Sequence, residues 1–261
     1  MTSPLEMTRQ THCLNVQNLT MSYDRAPVVE DVSLAIPSGR LVGILGPNGA
    51  GKSTLIKGIL GLHERDAGQV RFFGKPLADV RQRVVYVPQR GAVDWDFPVT
   101  VKDGVLMGRY GRLGLFGRPS RKDRMKAKEA MEKVGIADLS RRQIGELSGG
   151  QQQRVFLARA LAQEGDLIFM DEPFVGVDAA TEEAIVALLR EMRDQGRTVI
   201  VVNHDLQTAR SYFDELILLN KRLIAYGPTS RVFTPELLSQ AYGGHLAVID
   251  GADGQRMMIA A

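Results

Sequence analysis

The stretch Gly46-Pro47-Asn48-Gly49-Ala50-Gly51-Lys52-Ser53 leaves this chain few folds to choose from. It follows the apolar run Leu41-Val42-Gly43-Ile44-Leu45 and leads into Thr54-Leu55-Ile56-Lys57, so the order strand, glycine loop, helix is predicted. Gly46, Gly49 and Gly51 let the backbone take positive φ values and come close to a ligand. The N–H groups of such a loop converge on an anion, with the positive end of the next helix behind them. Lys52 then reaches terminal phosphates and the Ser53 hydroxyl suits Mg2+. The spacing therefore implies a phosphate-binding P-loop and a nucleoside triphosphate ligand. Gly46 through Ser53, with Thr54, are its candidate contacts.

Around that loop, strand and helix patterns alternate. Leu14 to Leu19 and Val28 to Ile36 read as strands joined through a turn near Asp24 to Pro27, with Tyr23 beside it. Gln69 to Phe73 and the β-branched run Val84 to Val87 are further strands, the latter ending at Pro88-Gln89. From Arg90 to about Glu164 the pattern turns helical. Asp94-Trp95-Asp96-Phe97-Pro98 is an acidic-aromatic loop, and Thr100 or its neighbour caps a helix through Met107. Gly108, Gly111, Gly114 and Gly117 interrupt the chain up to Arg118, and a helix runs from about Arg121 to Val134. Another spans Gln152 to Ala162. Leu167 to Met170 and Thr198 to Val202 are fully apolar strands, ending in Asp171-Glu172 and Asn203-His204-Asp205. Thr181 to Arg193 reads as an amphipathic helix stopped at Gly196. Strands Glu215 to Leu219 and Leu223 to Tyr226 precede short helices after Pro228 and Pro235. Beyond Gly243 no pattern is evident, and Gly251 to Ala261 receive no assignment.

Fully apolar strands alternating with helices imply a largely parallel sheet covered on both faces. Ligands of such sheets sit at the C-terminal strand edges, where Ser53, Gln89, Asp171 and His204 all fall. Asp171 is the natural second partner of Mg2+. Glu172 leaves the strand end in the other direction and suits a general base acting on water.

Leu147-Ser148-Gly149-Gly150-Gln151 stands before a helix and makes a second phosphate cradle. One compact domain cannot easily wrap a triphosphate with two cradles about 100 residues apart. A head-to-tail dimer resolves this, each nucleotide lying between one subunit's P-loop and the other's Ser-Gly-Gly loop.

With both cradles in hand, the chain resembles an ABC-type ATPase, the motor subunit of an ATP-binding-cassette transporter, over about Leu14 to Gly227. The resemblance implies a P-loop NTPase (RecA-like) α/β core with an antiparallel β subdomain and an inserted α-helical subdomain. It implies one ABC ATPase domain over 12–243, with the helical part at about 90–164 and a tail at 244–261. Tyr23 is expected to stack on adenine, Gln89 to sense Mg2+ and the attacking water, and Lys52 to act on the γ-phosphate. Ser148, Gly149, Gly150 and Gln151 are expected to close on the other subunit's ATP. Asp171 and Glu172 fill the Walker B and catalytic-carboxylate roles, Asp178 belongs to the D-loop, and His204 is the switch histidine. The implied catalytic set is Glu172, His204, Gln89 and Lys52; the Mg2+ set is Ser53, Gln89 and Asp171. Asn203 replaces the usual Thr or Ser, and Val175-Gly176-Val177 precedes Asp178 where Ala/Ser-Leu is frequent.

Val87 to Val99, then Met107 to Tyr110 and Gly111, are similar to the ATPases of manganese, zinc and iron importers that use a cluster-A metal-binding protein. Arg142 to Leu147 and Glu172 to Asp178 fit the same group. The expectation is an ATP-hydrolysing motor of a divalent-metal importer, manganese first and then zinc or iron. Its expected partners are a second copy, integral-membrane permease subunits and an extracytoplasmic metal-binding protein. The expected location is peripheral, on the cytoplasmic face of the cell (inner) membrane. Another importer or exporter motor, or a soluble non-transport ABC ATPase, is the alternative. Asp94 and Asp96 lack a His or Cys partner and are not read as cargo ligands.

Composition narrows this further. Net charge is only +3, and the eight basic residues between Arg109 and Lys128 carry little aromatic interleaving, so no nucleic-acid partner is expected. Cys13 is alone, excluding an internal disulfide. Met1 to Thr11 lacks the apolar stretch of a signal peptide, and no apolar run is long enough for a membrane span.

Overall fold

A computed structural model describes residues 12–23, 26–92, 97–113, 117–243, 246–250 and 256–260, the last two as backbone alone. The expected turn at Asp24, the loop residues Asp94, Trp95 and Asp96, and Gly114 lie outside the described residues. The elements in chain order are β1 His12–Tyr23, β2 Ala26–Pro37, β3 Leu41–Leu45, α1 Lys52–Ile59, β4 Ala67–Phe72, α2 Leu77–Val80 and β5 Val84–Val87. Next come α3 Val101–Leu106, α4 Arg121–Lys133, α5 Gly149–Gln163, β6 Leu167–Asp171, α6 Ala179–Asp194, β7 Thr198–Val202 and α7 Leu206–Tyr212. The chain ends with β8 Glu215–Asn220, β9 Arg222–Pro228, α8 Thr229–Val232, α9 Pro235–Ala241, β10 Leu246–Asp250 and β11 Arg256–Ala260.

The central sheet has the order β5-β6-β7-β3-β8-β9, parallel except for the antiparallel edge strand β9. Its buried strands are apolar on both faces because both faces are covered. Period-two alternation then divides each strand between two cores. Ile168, Met170, Val199, Val201, Leu216 and Leu218 pack with α3 to α7. Leu167, Phe169, Ile200, Val202, Ile217 and Leu219 face the other way, toward α1 and an antiparallel sheet of order β2-β1-β4. Helix α1 comes so close to that sheet that a Cβ on Gly58 would meet Met21 Sδ at 1.9 Å. That contact explains a glycine inside a helix, where it costs about 1 kcal/mol relative to alanine.

Between β5 and β6 the described chain is built of helices and 3-10 turns joined by short loops, with one isolated bridge between Thr100 and Gln143. Thr100 caps α3, its hydroxyl accepting from the Asp103 N–H. Ser120 caps α4 in a capping box with Asp123. Gly108 and Gly111, expected to break the chain, sit inside a 3-10 stretch, Met107–Arg112. Buried Arg109 holds that stretch. Its Nε donates to Asp123 Oδ1 at 2.9 Å, and its Nη1 to Glu164 Oε2 and the Ala162 carbonyl, both at 2.7 Å. Four of the eight basic residues between Arg109 and Lys128, namely Arg109, Arg112, Lys126 and Lys128, thus have acidic partners within the chain.

Three expectations need correction. Helix α5 begins at Gly149, three residues early, because Ser148 and Gln151 form a capping box that holds both glycines in helical conformation. Helix α7 stands where no element was expected. Past Gly243 the chain forms an antiparallel hairpin, Leu246 opposite Ala260 and Asp250 opposite Arg256. Two apolar runs flanking Gly251 and Gly254 are a hairpin signal.

Candidate functional site

Strand β3 delivers the chain into the P-loop, and the geometry there shows what each glycine does. A Cβ on Gly46 would lie 2.0 Å from the Leu219 carbonyl oxygen, and one on Gly51 2.5 Å from that of Val28. Gly51 also caps α1 in the left-handed region, at φ 90°. Gly49, at φ 78°, faces open space, so its backbone conformation alone selects glycine. The loop closes through Ala50 N–H donating to the Pro47 carbonyl at 3.1 Å. Lys52 is buried, and its Nζ donates to the carbonyls of Gly46 and Pro47 at 2.8 and 2.9 Å. Burial pulls its pKa down, while Glu172 and Asp171 hold it up.

Strand β6 delivers the two acids. Asp171 is the last strand residue, buried, and its Oδ1 accepts from Ser53 Oγ at 2.9 Å. Burial raises its pKa; the Ser53 bond opposes that and the Glu172 charge adds to it. Glu172 takes a left-handed backbone, φ 52°, which non-glycine residues adopt rarely. That kink turns its side chain out of the strand direction, and Oε2 accepts from Gln89 Nε2 at 2.6 Å. Gln89 lies just past β5, the strand beside β6. Lys52, Ser53, Asp171, Glu172 and Gln89 therefore form one cluster at the sheet edge. Its two carboxylates sit in different environments, one buried beside a hydroxyl and one partly exposed beside an amide.

The other expected residues lie outside these contacts. His204 is exposed, two residues past β7, whose Val202 pairs with Asp171. Its place is set by Asn203, buried, which donates its N–H to the Ile44 carbonyl and accepts at Oδ1 from the Asp205 N–H. Tyr23 is exposed at the end of β1, its ring 4.4 Å from that of His63 between centroids. Ser148 is exposed at the start of α5 and accepts from the Gln151 N–H, while Gly149 and Gly150 begin the helix. Asp178 caps α6, accepting from the Thr181 N–H at 2.8 Å and hydroxyl at 2.9 Å. None of Tyr23, Ser148 to Gln151, Asp178 or His204 is hydrogen-bonded to the five clustered residues.

Two neighbours of the site have no counterpart among the expected residues. Arg90 Nε donates to Gln152 Oε1 at 3.0 Å, tying the Gln89 loop to α5. Tyr242, at the end of α9, buries its hydroxyl near the Gly46 backbone but outside hydrogen-bonding geometry, and burial pushes its pKa up to about 12. Arg90 had a signal in its adjacency to Gln89; Tyr242 had none.

Known proteins resemble this chain in sequence, and solved structures superpose on its fold. The profile of the ABC transporter family matches residues 29–175. The chain is 58% identical over 236 residues to the manganese transport system ATP-binding protein MntB of Bacillus subtilis (strain 168), covering 90% of this chain and 94% of that one. It is 55% identical over 242 residues to the zinc transport system ATP-binding protein TroB of Treponema pallidum (strain Nichols), covering 93% and 91%. Among solved structures, an inward-facing ABC transporter assigned to the metal-chelate type superposes with TM-score 0.81 at 28% identity, covering 95% of this chain and 98% of that one. An ATP-binding cassette of an ABC transporter in its ADP conformation gives 0.75 at 27% identity, covering 89% and 99%.

Proposed function

The chain belongs to the ABC transporter family of ATP-binding proteins, and from that premise we propose that it is the ATP-hydrolysing motor of an importer for manganese or zinc. The observation that carries the chemistry is the linked pair of contacts at the sheet edge, Ser53 with Asp171 and Gln89 with Glu172. The cargo is argued from relatives named for manganese and zinc transport that match nine-tenths of the chain.

The oxygens of Ser53 and Asp171 fit Mg2+, a hard cation that takes one or two protein oxygens beside phosphate and water; Gln89 adds an amide oxygen within reach of the same edge. When bound, that ion neutralises charge on the β- and γ-phosphates. The N–H groups of the Gly46–Ser53 loop hold the phosphates, and Lys52 moves from the loop carbonyls to the terminal one. Glu172, with Gln89, orients a water on the γ-phosphorus. The water oxygen bonds to phosphorus, the bond to the β-phosphate oxygen breaks with its electrons leaving on ADP, and the water proton passes to Glu172. His204 steadies the γ-phosphate from the next strand, and Tyr23 stacks on the base. Positioning and charge complementarity supply most of the acceleration.

Ser148 to Gln151 then serve the other subunit's nucleotide in a head-to-tail homodimer, with Asp178 near the same junction. Closing and reopening of the pair drive permease subunits that receive metal from an extracytoplasmic binding protein, the motor lying on the cytoplasmic face of the membrane. Among the described residues, no helix is long and apolar enough to cross a membrane.

The test is manganese and zinc uptake into vesicles carrying the permease with and without this chain, together with the Glu172→Gln variant. ATP-dependent uptake that falls on the order of 10²–10⁴-fold in the variant, with ATP binding kept, is the expected result. Equal uptake by wild type and Glu172→Gln would overturn the mechanism, and uptake of neither metal would overturn the cargo.

A further inference from the structure

Arg90 follows Gln89 directly, and its side chain reaches away from the acid cluster toward the start of α5. Nε donates to Gln152 Oε1 at 3.0 Å. Gln152 is buried and donates in turn through Nε2 to the Ile144 carbonyl at 3.2 Å, in the segment that leads into Ser148. The guanidinium lies over Gly149, where a Cβ would come within 2.6 Å of Nη1. It also borders the loop after Glu172, where a Cβ on Gly176 would be 3.7 Å from the same nitrogen. The planar guanidinium thus bonds from the Gln89 loop to the first turn of α5 and lies near the 172–178 loop. Gln89 itself is bonded to Glu172 at 2.6 Å.

This chain of contacts joins the two halves of the machinery that one subunit contributes to different nucleotides. We infer that Arg90 is a positioning residue coupling the two ATP sites: the state of Gln89 in a subunit's own site sets the placement of the Ser148–Gln151 helix start offered to its partner. The inference rests on the composite sites of the proposed dimer. A shift of Gln89 must either carry Arg90 with it or break the Gln152 bond. Gly149 leaves the guanidinium room to lie against the helix rather than beside it. A cation at the positive end of α5 is unfavourable on its own and is relieved when phosphate arrives in front of Ser148. The link works in both directions, as any coupling between binding sites must.

The test measures ATP hydrolysis by the full chain against ATP concentration, and separately the affinity of each variant for a fluorescent ATP analogue. Wild type is expected to show a Hill coefficient well above 1 and approaching 2, the number of sites. Arg90→Ala, Arg90→Lys and Gln152→Leu should each bring it to about 1 and lower kcat about tenfold, with analogue affinity changed less than about twofold. Arg90→Lys matching wild type would overturn the inference, since charge alone would then suffice. Cooperativity surviving in Gln152→Leu overturns it too and leaves the dimer reading standing. Wild-type hydrolysis with a Hill coefficient of 1 removes coupled sites and the inference together. Should Arg90→Ala lose analogue binding through misfolding, Gln152→Leu and the lysine variant decide.

Discussion

At the level of single residues, the site holds groups that are costly to the resting fold. Asp171 is buried with one hydroxyl partner and a second acid next to it, and its pKa is raised. The native state therefore holds that proton more tightly than the unfolded chain does. Its contribution to stability is greatest below the ordinary carboxylate value and declines as pH rises through the raised one. Asp171→Asn should accordingly raise the thermal midpoint of the nucleotide-free protein at pH 7 by about 2–4 °C. The same change should abolish Mg2+-dependent hydrolysis. Scanning calorimetry beside a phosphate-release assay checks both, and a lowered midpoint would contradict the burial argument. Glu172 stores strain of another kind, a left-handed backbone in a residue with a Cβ. That strain turns the acid away from Asp171 and toward Gln89, so the two carboxylates have separate partners. This division of labour was readable from the sequence because it depends on two neighbouring residues at a strand end. The partners of Arg90 and Tyr242 were not, because no motif marks Gln152 or Tyr242 as part of the site, although Arg90 adjoins Gln89.

Among the elements, α5 links the most. It carries Ser148 to Gln151 at one end, and at the other Arg109 bonds to the Ala162 carbonyl and Glu164. Arg109 is buried between acids on two elements, so Arg109→Met should strip Asp123 and Glu164 of their shared cation, leaving Asp123 to Ser120 and Glu164 to Arg112 and Lys126. A fall in thermal midpoint of about 3–6 °C is expected, since charge-assisted hydrogen bonds are lost while the acids keep other partners. Asp123 offers a pH signature of the same junction. Its carboxyl is held down to about 2 by the Ser120 hydroxyl, then the Ser120 N–H and Arg109. Because folding lowers its pKa, its stabilisation is complete above the ordinary value of 3.8 and is lost as pH falls toward 2. The gap in urea midpoint between wild type and Asp123→Asn should be constant above about pH 5 and shrink progressively as pH falls through about 2; a constant gap throughout would refute the assignment. Elements with a full pattern were legible in the chain: β3, β6 and β7 as apolar runs, α4 and α6 by their period. Helix α7 was not, since in seven residues only Leu206 and Ala209 are buried, too few to show a repeat. The start of α5 was not, since Gly149 and Gly150 have low helix propensity and the Ser148–Gln151 capping box overrides it.

For the molecule as a whole, the proposed holding of each nucleotide between two copies can be tested by mixing. In that proposal Lys52 belongs to the P-loop half of a site and Gly150 to the other half. Gly150→Asp should fold, because a Cβ there meets only the Thr181 side chain at 3.9 Å and an acid in the first turn of α5 suits the helix dipole. It should nonetheless repel phosphate on the partner. Lys52→Ala homodimers and Gly150→Asp homodimers then have no intact site. In a mixed dimer, one site receives both lesions and the other receives neither. Equal amounts of the two chains, allowed to exchange, place half the dimers in the mixed form, each with one good site of two. Hydrolysis should therefore recover to at most about a quarter of the wild-type rate per chain, and to less where one site needs the other. Sites built within a single chain would give no recovery at any ratio, because each defective chain would carry its own lesion into every complex. The dependence on mixing ratio separates the cases further: recovery should peak at equal amounts and fall symmetrically as either chain is placed in excess.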